Sequence, residues 1–405
     1  MLDFWSAICY NNSNMLKFKQ YLKEEKVEKL SHLEHNEDHV INSGQKGFAH
    51  AFHNLQDVHH KLTNNGHNDT KITTKYDGSP AVVFGTHPES KKFFVGSKSV
   101  FNKTPKINYS HEDIDKNHGH APGLVSKLKA ALDHLPKIHK DGVYQADIMH
   151  SGDAKKEGNR VHYTPNTITY HHEADSEHGK KAMNSKLGVA VHTKYEGKTW
   201  DSMEAKHGAD FELGDHKDVH QLPVEHDISK VNYPIADQNE YQKHVKKAVE
   251  HFKSMPKDGH DEVGKHGVHL KTYINKTVRD GSEPNFDDFH QHVHDHHQKK
   301  IDGVKTDVAK ARHSETRENV TSHIKGNKEH FNKVLDMHKH LQSAKNVLTN
   351  ALNSHQTVGH EIAGQKTNPE GYVIHRQGMP TKFVDRAEFS AANFARGDAL
   401  KKGNK

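Results

Sequence analysis

The chain of 405 residues has one cysteine, Cys9, two tryptophans and few apolar side chains of any kind. A lone thiol excludes an internal disulfide and any cysteine-built zinc site, and Cys9 is read as inert. No stretch approaches the ~18–20 apolar residues that a membrane helix requires, so no membrane span is expected. Hydrophobic residues make up 32% and the mean hydropathy is −0.98, values of a soluble chain. The opening Met1-Leu2-Asp3-Phe4-Trp5 lacks the basic start and apolar run of a secretory signal, which points to the cytoplasm. A dominant charge sign is missing too. Lys+Arg 58 against Asp+Glu 53 gives +5, which permits a nucleic-acid partner without demanding one. The length suggests two or three folded units.

Histidine is what the chain has in excess, 42 residues. These side chains are near-neutral at pH 7 and add positive charge as pH falls through ~6.5. Such abundance devalues ligand spacing, because suitable pairs arise by chance. His290, His292, His294, His296 and His297 lie beside Asp287, Asp288 and Asp295. His290, His294 and His297 share a helical face that could ligate Zn²⁺ or Ni²⁺, but the segment is read as a solvated polar helix.

Periodicity divides the chain into four parts. Residues 1–45 form an N-terminal arm in which Met15, Leu16, Phe18, Tyr21, Leu22 and Val27 recur at helical spacing. Met15 is an alternative start. In residues 46–200 a helix over 47–62 precedes β-rich runs at 72–76 and 81–84, split by the turn Asp77-Gly78-Ser79-Pro80. Further strands are expected at 92–95, 142–149, 167–170 and 187–193, with a helix over 124–135. Strands that follow one another without regular crossover helices predict an α+β domain with a mostly antiparallel sheet. Residues 201–355 are charged, histidine-rich and helical, with stripes such as Tyr241, Val245, Ala248, Val249 and Phe252. They are read as a helical insertion, a module separable from the chemistry. Residues 356–405 return to strands at 371–374 and 382–384 and end in a short tail.

Lys75-Tyr76-Asp77-Gly78-Ser79 is the leading chemical candidate. A lysine that ends a strand before a glycine turn projects its amine where backbone can approach a ligand closely. Lysine is a nucleophile only when neutral, so the site needs burial or neighbouring cations, and Lys75 is expected to titrate below ~10.4. Alone, Lys-x-Asp-Gly is a weak signal that fits a polar β-hairpin with an exposed lysine better.

An ordered set gives the segment weight: Ser97-Lys98, then Tyr144-Gln-Ala-Asp147-Ile-Met, Leu187 to Thr193, Glu370-Gly371-Tyr372-Val373-Ile374, and Thr381-Lys382-Phe383-Val384. In that order these resemble the motifs of the covalent lysyl-nucleotide superfamily of DNA ligases, RNA ligases and mRNA capping enzymes. Lys75 to Ser79 is similar to motif I, Glu370 to Ile374 to motif IV, and Lys382 to the first lysine of motif V. Asp147 stands where motif III usually has Glu. The runs Leu30 to Asp38, Lys75 to Phe84, Phe93 to Val95, Val100 to Pro105 and Lys382 to Phe389 look like ligase-like proteins of large tailed phages.

The resemblance implies an antiparallel-sheet nucleotidyltransferase domain, the ATP-grasp-like catalytic domain of ligases, with ATP and Mg²⁺ as cofactors and nucleic acid, RNA ends above all, as partner. It implies that Lys75 forms a lysyl-AMP, that Asp147 holds the ribose hydroxyls and that Glu370 orients waters on Mg²⁺. Lys98 and Lys382 would bind phosphate oxygens and help keep Lys75 deprotonated, Asp77, Gly78 and Ser79 would shape the turn, and adenine would lie on Val373 or Val189 with His192 stacking. It further implies the host cytoplasm, with packaging in the virion or association with capsid or scaffold as an alternative, since Leu22-Lys23-Glu24 fits a prohead cleavage pattern. The departures are Val384 where a second motif V lysine is common, with substitution by Arg386 left open, and Lys98 where RNA ligases often have Arg. Only about twenty residues follow Arg386, so no C-terminal OB domain is expected. The alternatives are a nucleotidyltransferase with a non-nucleic-acid acceptor and an inactive virion-associated protein that keeps the fold.

Overall fold

The computed structural model describes residues 33–64, 69–209 and 211–386. The arm helix from Met15, the Leu22-Lys23-Glu24 pattern and Cys9 lie outside the described residues. In chain order, helix α1 (His39–Leu62) leads into strands β1 (Lys71–Lys75), β2 (Ala81–Thr86) and β3 (Phe93–Gly96). Helices α2 (His111–His118) and α3 (Pro122–His134) precede β4 (Val143–His150), β5 (Lys155–Glu157), β6 (Arg160–Tyr163) and β7 (Thr169–Glu173). Helix α4 (Glu177–Asn184) is followed by β8 (Leu187–Glu196), β9 (Glu204–His207) and β10 (Val219–Gln221). Six helices come next: α5 (Ile235–Ser254), α6 (Lys257–Gly264), α7 (Gly267–Asp280), α8 (Phe286–Asp302), α9 (Asp307–Gly326) and α10 (Lys328–Asn353). Strands β11 (Gly359–Ile362), β12 (Gln365–Lys366), β13 (Gly371–Arg376) and β14 (Met379–Phe383) close the order.

The strands make three sheets in a mixed α/β structure. The first, β1-β13-β14, joins chain segments 300 residues apart and is antiparallel throughout. The second runs β10-β8-β4-β2-β3 with β9 also on β8, and only its β8–β10 pairing is parallel. The third runs β12-β11-β7-β6-β5.

Alternation along the strands decides what faces what. On β4, Tyr144, Ala146 and Ile148 join Val189 and Val191 of β8 against α2 and α3, where Ile114, Leu128 and Ala131 are buried. The residues between them, Gln145, Asp147, Ala190 and His192, face the other way into a cleft. In the first sheet, Ile72, Tyr372, Ile374 and Phe383 enter the helical core, while Thr73, Val373, His375 and Lys382 face the same cleft.

That helical core corrects the expected organisation. Residues 201–234 carry β9 and β10 of the second sheet, so the helices begin at Ile235 and not at 201. Nor do they form a separable module. Tyr241, Leu270, Phe331, Leu341 and Leu348 of the helices share one core with Phe48, Leu55 and Val58 of α1 and with the first sheet. A buried ion-pair network reinforces the joint. Lys345 of α10, with its side chain 0% exposed, donates to Glu37 Oε1 at 2.8 Å and to the Val384 carbonyl at 2.7 Å. His338, on the same helix, contacts Asp38 at 2.9 Å. No helix among the described residues is long and apolar enough to cross a membrane.

Candidate functional site

The cleft between the first and second sheets has a volume of about 440 Å³. It brings together all eight residues singled out from the sequence: Lys75, Asp77, Gly78, Lys98, Asp147, Glu370, Val373 and Lys382. Strand pairing explains the convergence. Lys75, the last residue of β1, lies opposite Gly371, so Glu370 arrives beside it and the Lys75 Nζ donates to Glu370 Oε1 at 2.5 Å. Lys382 on β14 lies opposite Val373 on β13. Asp147 on β4 lies opposite both Ala81 on β2 and Ala190 on β8. Lys98 opens a short 3-10 turn over Lys98–Phe101, whose first N–H groups are capped by Ser97 Oγ accepting from Ser99 N.

The turn after Lys75 is fixed from outside. The Asp77 carboxylate accepts from the Thr167 and Ile168 backbone N–H groups at 2.8 and 3.1 Å and from Asn166 Nδ2 at 2.8 Å, while its own N–H donates to Tyr170 Oη at 2.6 Å. Asp77 is therefore a positioning residue that ties the turn to the β6–β7 loop. Gly78 is obligatory for a packing reason. A Cβ there would lie 2.4 Å from Asp147 Cβ and 2.9 Å from Met149 Sδ. Lys127 Nζ on α3 closes the turn by donating to the Ser79 carbonyl at 2.6 Å.

The electrostatics run opposite to the expectation for Lys75. Burial disfavours its ammonium, but Glu370 outweighs that penalty, with Asp147 and Asp77 behind it, and the lysine is raised above its ordinary value. Burial in turn raises Glu370, an effect that Lys75 opposes and that Asp77 and Asp147 reinforce. Lys382 is lowered, first by burial and then by Lys75 and Arg386. The cleft thus holds a cationic nucleophile candidate paired to a carboxylate, with two further lysines in reach.

Of the alternatives left open by the sequence, Val373 lines the cleft, and Val189 and Arg386 do not. Val189 is buried against the α2–α3 layer, one residue out of phase with the cleft, and Ala190 takes the wall position instead. Arg386 does not substitute for a second motif V lysine. It is buried in a two-pronged pair with Asp38, at 3.0 Å from Oδ1 and 2.5 Å from Oδ2. His192 does line the cleft, 3.7 Å from Asp147 Oδ2.

Sequence reasoning missed Gln145, Tyr195, His207 and His375, which form the deep wall. Gln145 and His375 sit two positions from Asp147 and Val373, so strand alternation could have found both. His207 gave no signal, because it lies in a segment read as helical. Burial keeps His375 neutral down to about 3 and His207 down to about 4. The wall is stitched together by neutral contacts: Thr73 Oγ1 to His375 Nε2 at 2.8 Å, Thr193 Oγ1 to His207 Nδ1 at 3.0 Å and Tyr195 Oη to Gln145 Oε1 at 2.7 Å. The histidines of 290–297 do not gather. His294 is exposed beside Asp295, His290 contacts the Thr321 carbonyl at 3.3 Å and His297 is buried.

No curated protein and no solved structure matches the chain. One family does, over residues 30–397, a span that takes in the cleft strands and all six helices of the bundle. The chain belongs to this family, described as a family of unknown function (DUF6267).

Proposed function

We propose that the protein is an ATP-dependent nucleotidyltransferase that attaches AMP to Lys75 and passes it to a polynucleotide end, RNA in preference to DNA. The observation that carries this reading is the convergence of Lys75, Lys98 and Lys382 with Glu370 and Asp147 in one cleft, from segments spread over 300 residues.

The chemistry asks Lys75 to shed a proton, and the acceptor in contact with it is Glu370. Burial has already raised that carboxyl, which narrows the gap the proton must cross. The neutral Nζ then forms a bond to the α-phosphorus and the bond from that phosphorus to the bridging oxygen breaks. Pyrophosphate leaves with the electron pair, and the nitrogen loses a second proton, to water or to the departing pyrophosphate, to give the phosphoramidate. Lys382 and Lys98 face the developing charge on the phosphate oxygens, and Lys382 enters with much of its hydration already removed. Asp147 is the acceptor available to ribose hydroxyls. Asp77 keeps the turn in place.

The donor set suits Mg²⁺. Glu370 and Asp147 offer hard carboxylate oxygens across the cleft, and a site of one or two carboxylates completed by phosphate oxygens and water is the usual magnesium arrangement. When bound there, Mg²⁺ supplies positive charge against the phosphates.

The test is the intact mass of the full chain after incubation with ATP and Mg²⁺. The expected result is an added AMP on wild type, none on Lys75→Ala, and discharge of the adduct by 5′-phosphorylated RNA. An adduct discharged by neither RNA nor DNA ends moves the acceptor to another class. Absence of any adduct on folded protein overturns the reading in favour of a non-catalytic protein, a reading that Val384 and the sequestered Arg386 favour.

A further inference from the structure

Away from the cleft, the outward face of the third sheet gathers a different chemistry. His162 on β6 lies directly opposite His171 on β7. Gly359 on β11 lies opposite His171 from the other side, which puts Glu361, two residues on, diagonal to it and on the same face. Residues of the other face, Val161, Tyr163 and Tyr170, are buried in the core between the sheets, so the three polar groups stand on its outer surface. One nitrogen of each histidine and one oxygen of Glu361 lie within 4.8 Å of one another.

We propose that His162, His171 and Glu361 form a binding site for one divalent transition-metal ion of the zinc class. Ligand atoms around a tetrahedral zinc at 2.0–2.1 Å are separated by about 3.3 Å. His171 Nδ1 and Glu361 Oε1 already stand 3.5 Å apart, so small side-chain rotations close the set. His171 Nδ1 is buried and makes no hydrogen bond, with Glu361 as the polar group beside it. Its ring orientation depends on a glycine. A Cβ on Gly359 would fall 2.0 Å from His171 Nε2, so only glycine lets the imidazole lie flat over β11 with Nδ1 turned toward Glu361.

Histidine abundance does not account for the grouping. All histidines except His32 and His67 lie among the described residues, and within those residues this is the one set of three that converges. The buried chain of His150, His220 and His178 shows the contrast. His220 uses Nδ1 toward His150 at 3.4 Å and Nε2 toward His178 at 3.1 Å, so the three never aim at one point. The nearest competitor for Glu361 is Arg160, with Nη1 at 3.6 Å from Oε1. It is half exposed and already reaches Glu173 at 3.4 Å, an alternative partner that frees Glu361.

The site has an open side. His171 and Glu361 also line a second cavity of about 580 Å³ with His172, Lys366 and Asn368, so three protein ligands leave a position for water or a small anion. It also clamps the β6–β7 hairpin to β11, and the loop of that hairpin is what holds Asp77 in the cleft. The site goes beyond the nucleotidyltransferase reading and stands or falls without it.

The test is titration of chelator-treated full chain with Co²⁺, followed by visible absorption and calorimetry. One equivalent should give d–d bands that Zn²⁺ abolishes. His171→Asn and Glu361→Gln should each weaken that equivalent by at least the tenfold that loss of an outer-shell partner typically costs in affinity (about 10–100-fold), and Arg160→Gln should tighten it. His290→Asn/His294→Asn should leave it unchanged. Circular dichroism in the metal-free state checks that each variant is folded. No banded equivalent, or one undiminished in both folded ligand variants, overturns the proposal, as does equal weakening by the His290/His294 pair.

Discussion

Lys75 and Glu370 are held by each other, and that pairing makes the nucleophile candidate a stability residue as well. The Lys75 side chain is 29% exposed and that of Glu370 12%. Removing the lysine alone leaves a largely buried carboxylate without its partner, a cost of about 1–2 kcal/mol after allowing for partial solvation. We therefore expect Lys75→Met to unfold at lower urea than wild type and Lys75→Met/Glu370→Gln to regain most of the loss. Additive losses in chemical denaturation would show that the pair is not coupled. Gly78 gives a second expectation at this scale. Gly78→Ala pushes a methyl into Asp147 and Met149, an overpacking that costs about 1–3 kcal/mol and displaces the turn bearing Lys75, so AMP-adduct formation should fall more than stability does.

At the scale of elements, Lys345 joins three pieces of chain: α10, the 3-10 turn Asn36–Asp38 and the end of β14. Lys345→Met strands the Glu37 carboxylate at 0% exposure, which should cost about 3–5 kcal/mol, and adding Glu37→Gln should recover much of it. Deleting residues 235–353 should leave no cooperative thermal transition, because Phe48, Tyr372 and Phe383 would lose their core. Persistence of a sharp transition would restore the separable module expected from the sequence. The strands of the cleft were legible because their alternation is strong, as in Val143 to His150, where cleft residues and core residues take turns. Of the third sheet only β7 was, through the run Thr167 to Tyr170. Strand β5, Lys155-Lys-Glu157, is exposed along its whole length and carries no apolar residue, β12 is equally polar, and β11 has Ile362 alone. The metal-ligand set was invisible because Glu361 on β11 joins the β6–β7 hairpin from about 190 residues further along the chain. Residues 201–234 were misread because β9 and β10 are only four and three residues long, too short for period two to stand out against flanking charge.

For the whole molecule, the excess of histidine becomes an energetic property once burial is known. His50, on α1 against β14, is buried, His150 and His220 are buried in contact with each other at the sheet interfaces, and His375 is half-buried at the cleft wall. Burial is the leading cause in each case, and it lowers them from 6.5 to about 3, 4, 2 and 3 respectively. The neighbours mostly push the same way: His39, His53 and Arg376 around His50, His172, His178 and Lys181 around His220, and His207, His192 and Lys71 around His375. Asp153 alone opposes the shift at His150. The sign follows from proton counting. Above pH ~6.5 these groups are neutral in both states and cost nothing. Below it the unfolded chain binds protons that the folded chain refuses, so stability falls with pH until the folded values near 3–4 are reached. Each such histidine contributes about 1.4 kcal/mol per pH unit in that window, and four give at most about 5.6 per unit, against a total stability typically of 5–15 kcal/mol. The folded state should therefore fail within about one to three units below pH 6.5, a window whose lower end overlaps the range in which ordinary carboxylates protonate. Thermal unfolding followed from pH 8 to pH 4.5 should show a flat region and then a steep decline, and His50→Gln should flatten that decline by close to one proton. A melting temperature that stays level down to pH 5 would mean these histidines find room to charge inside the fold.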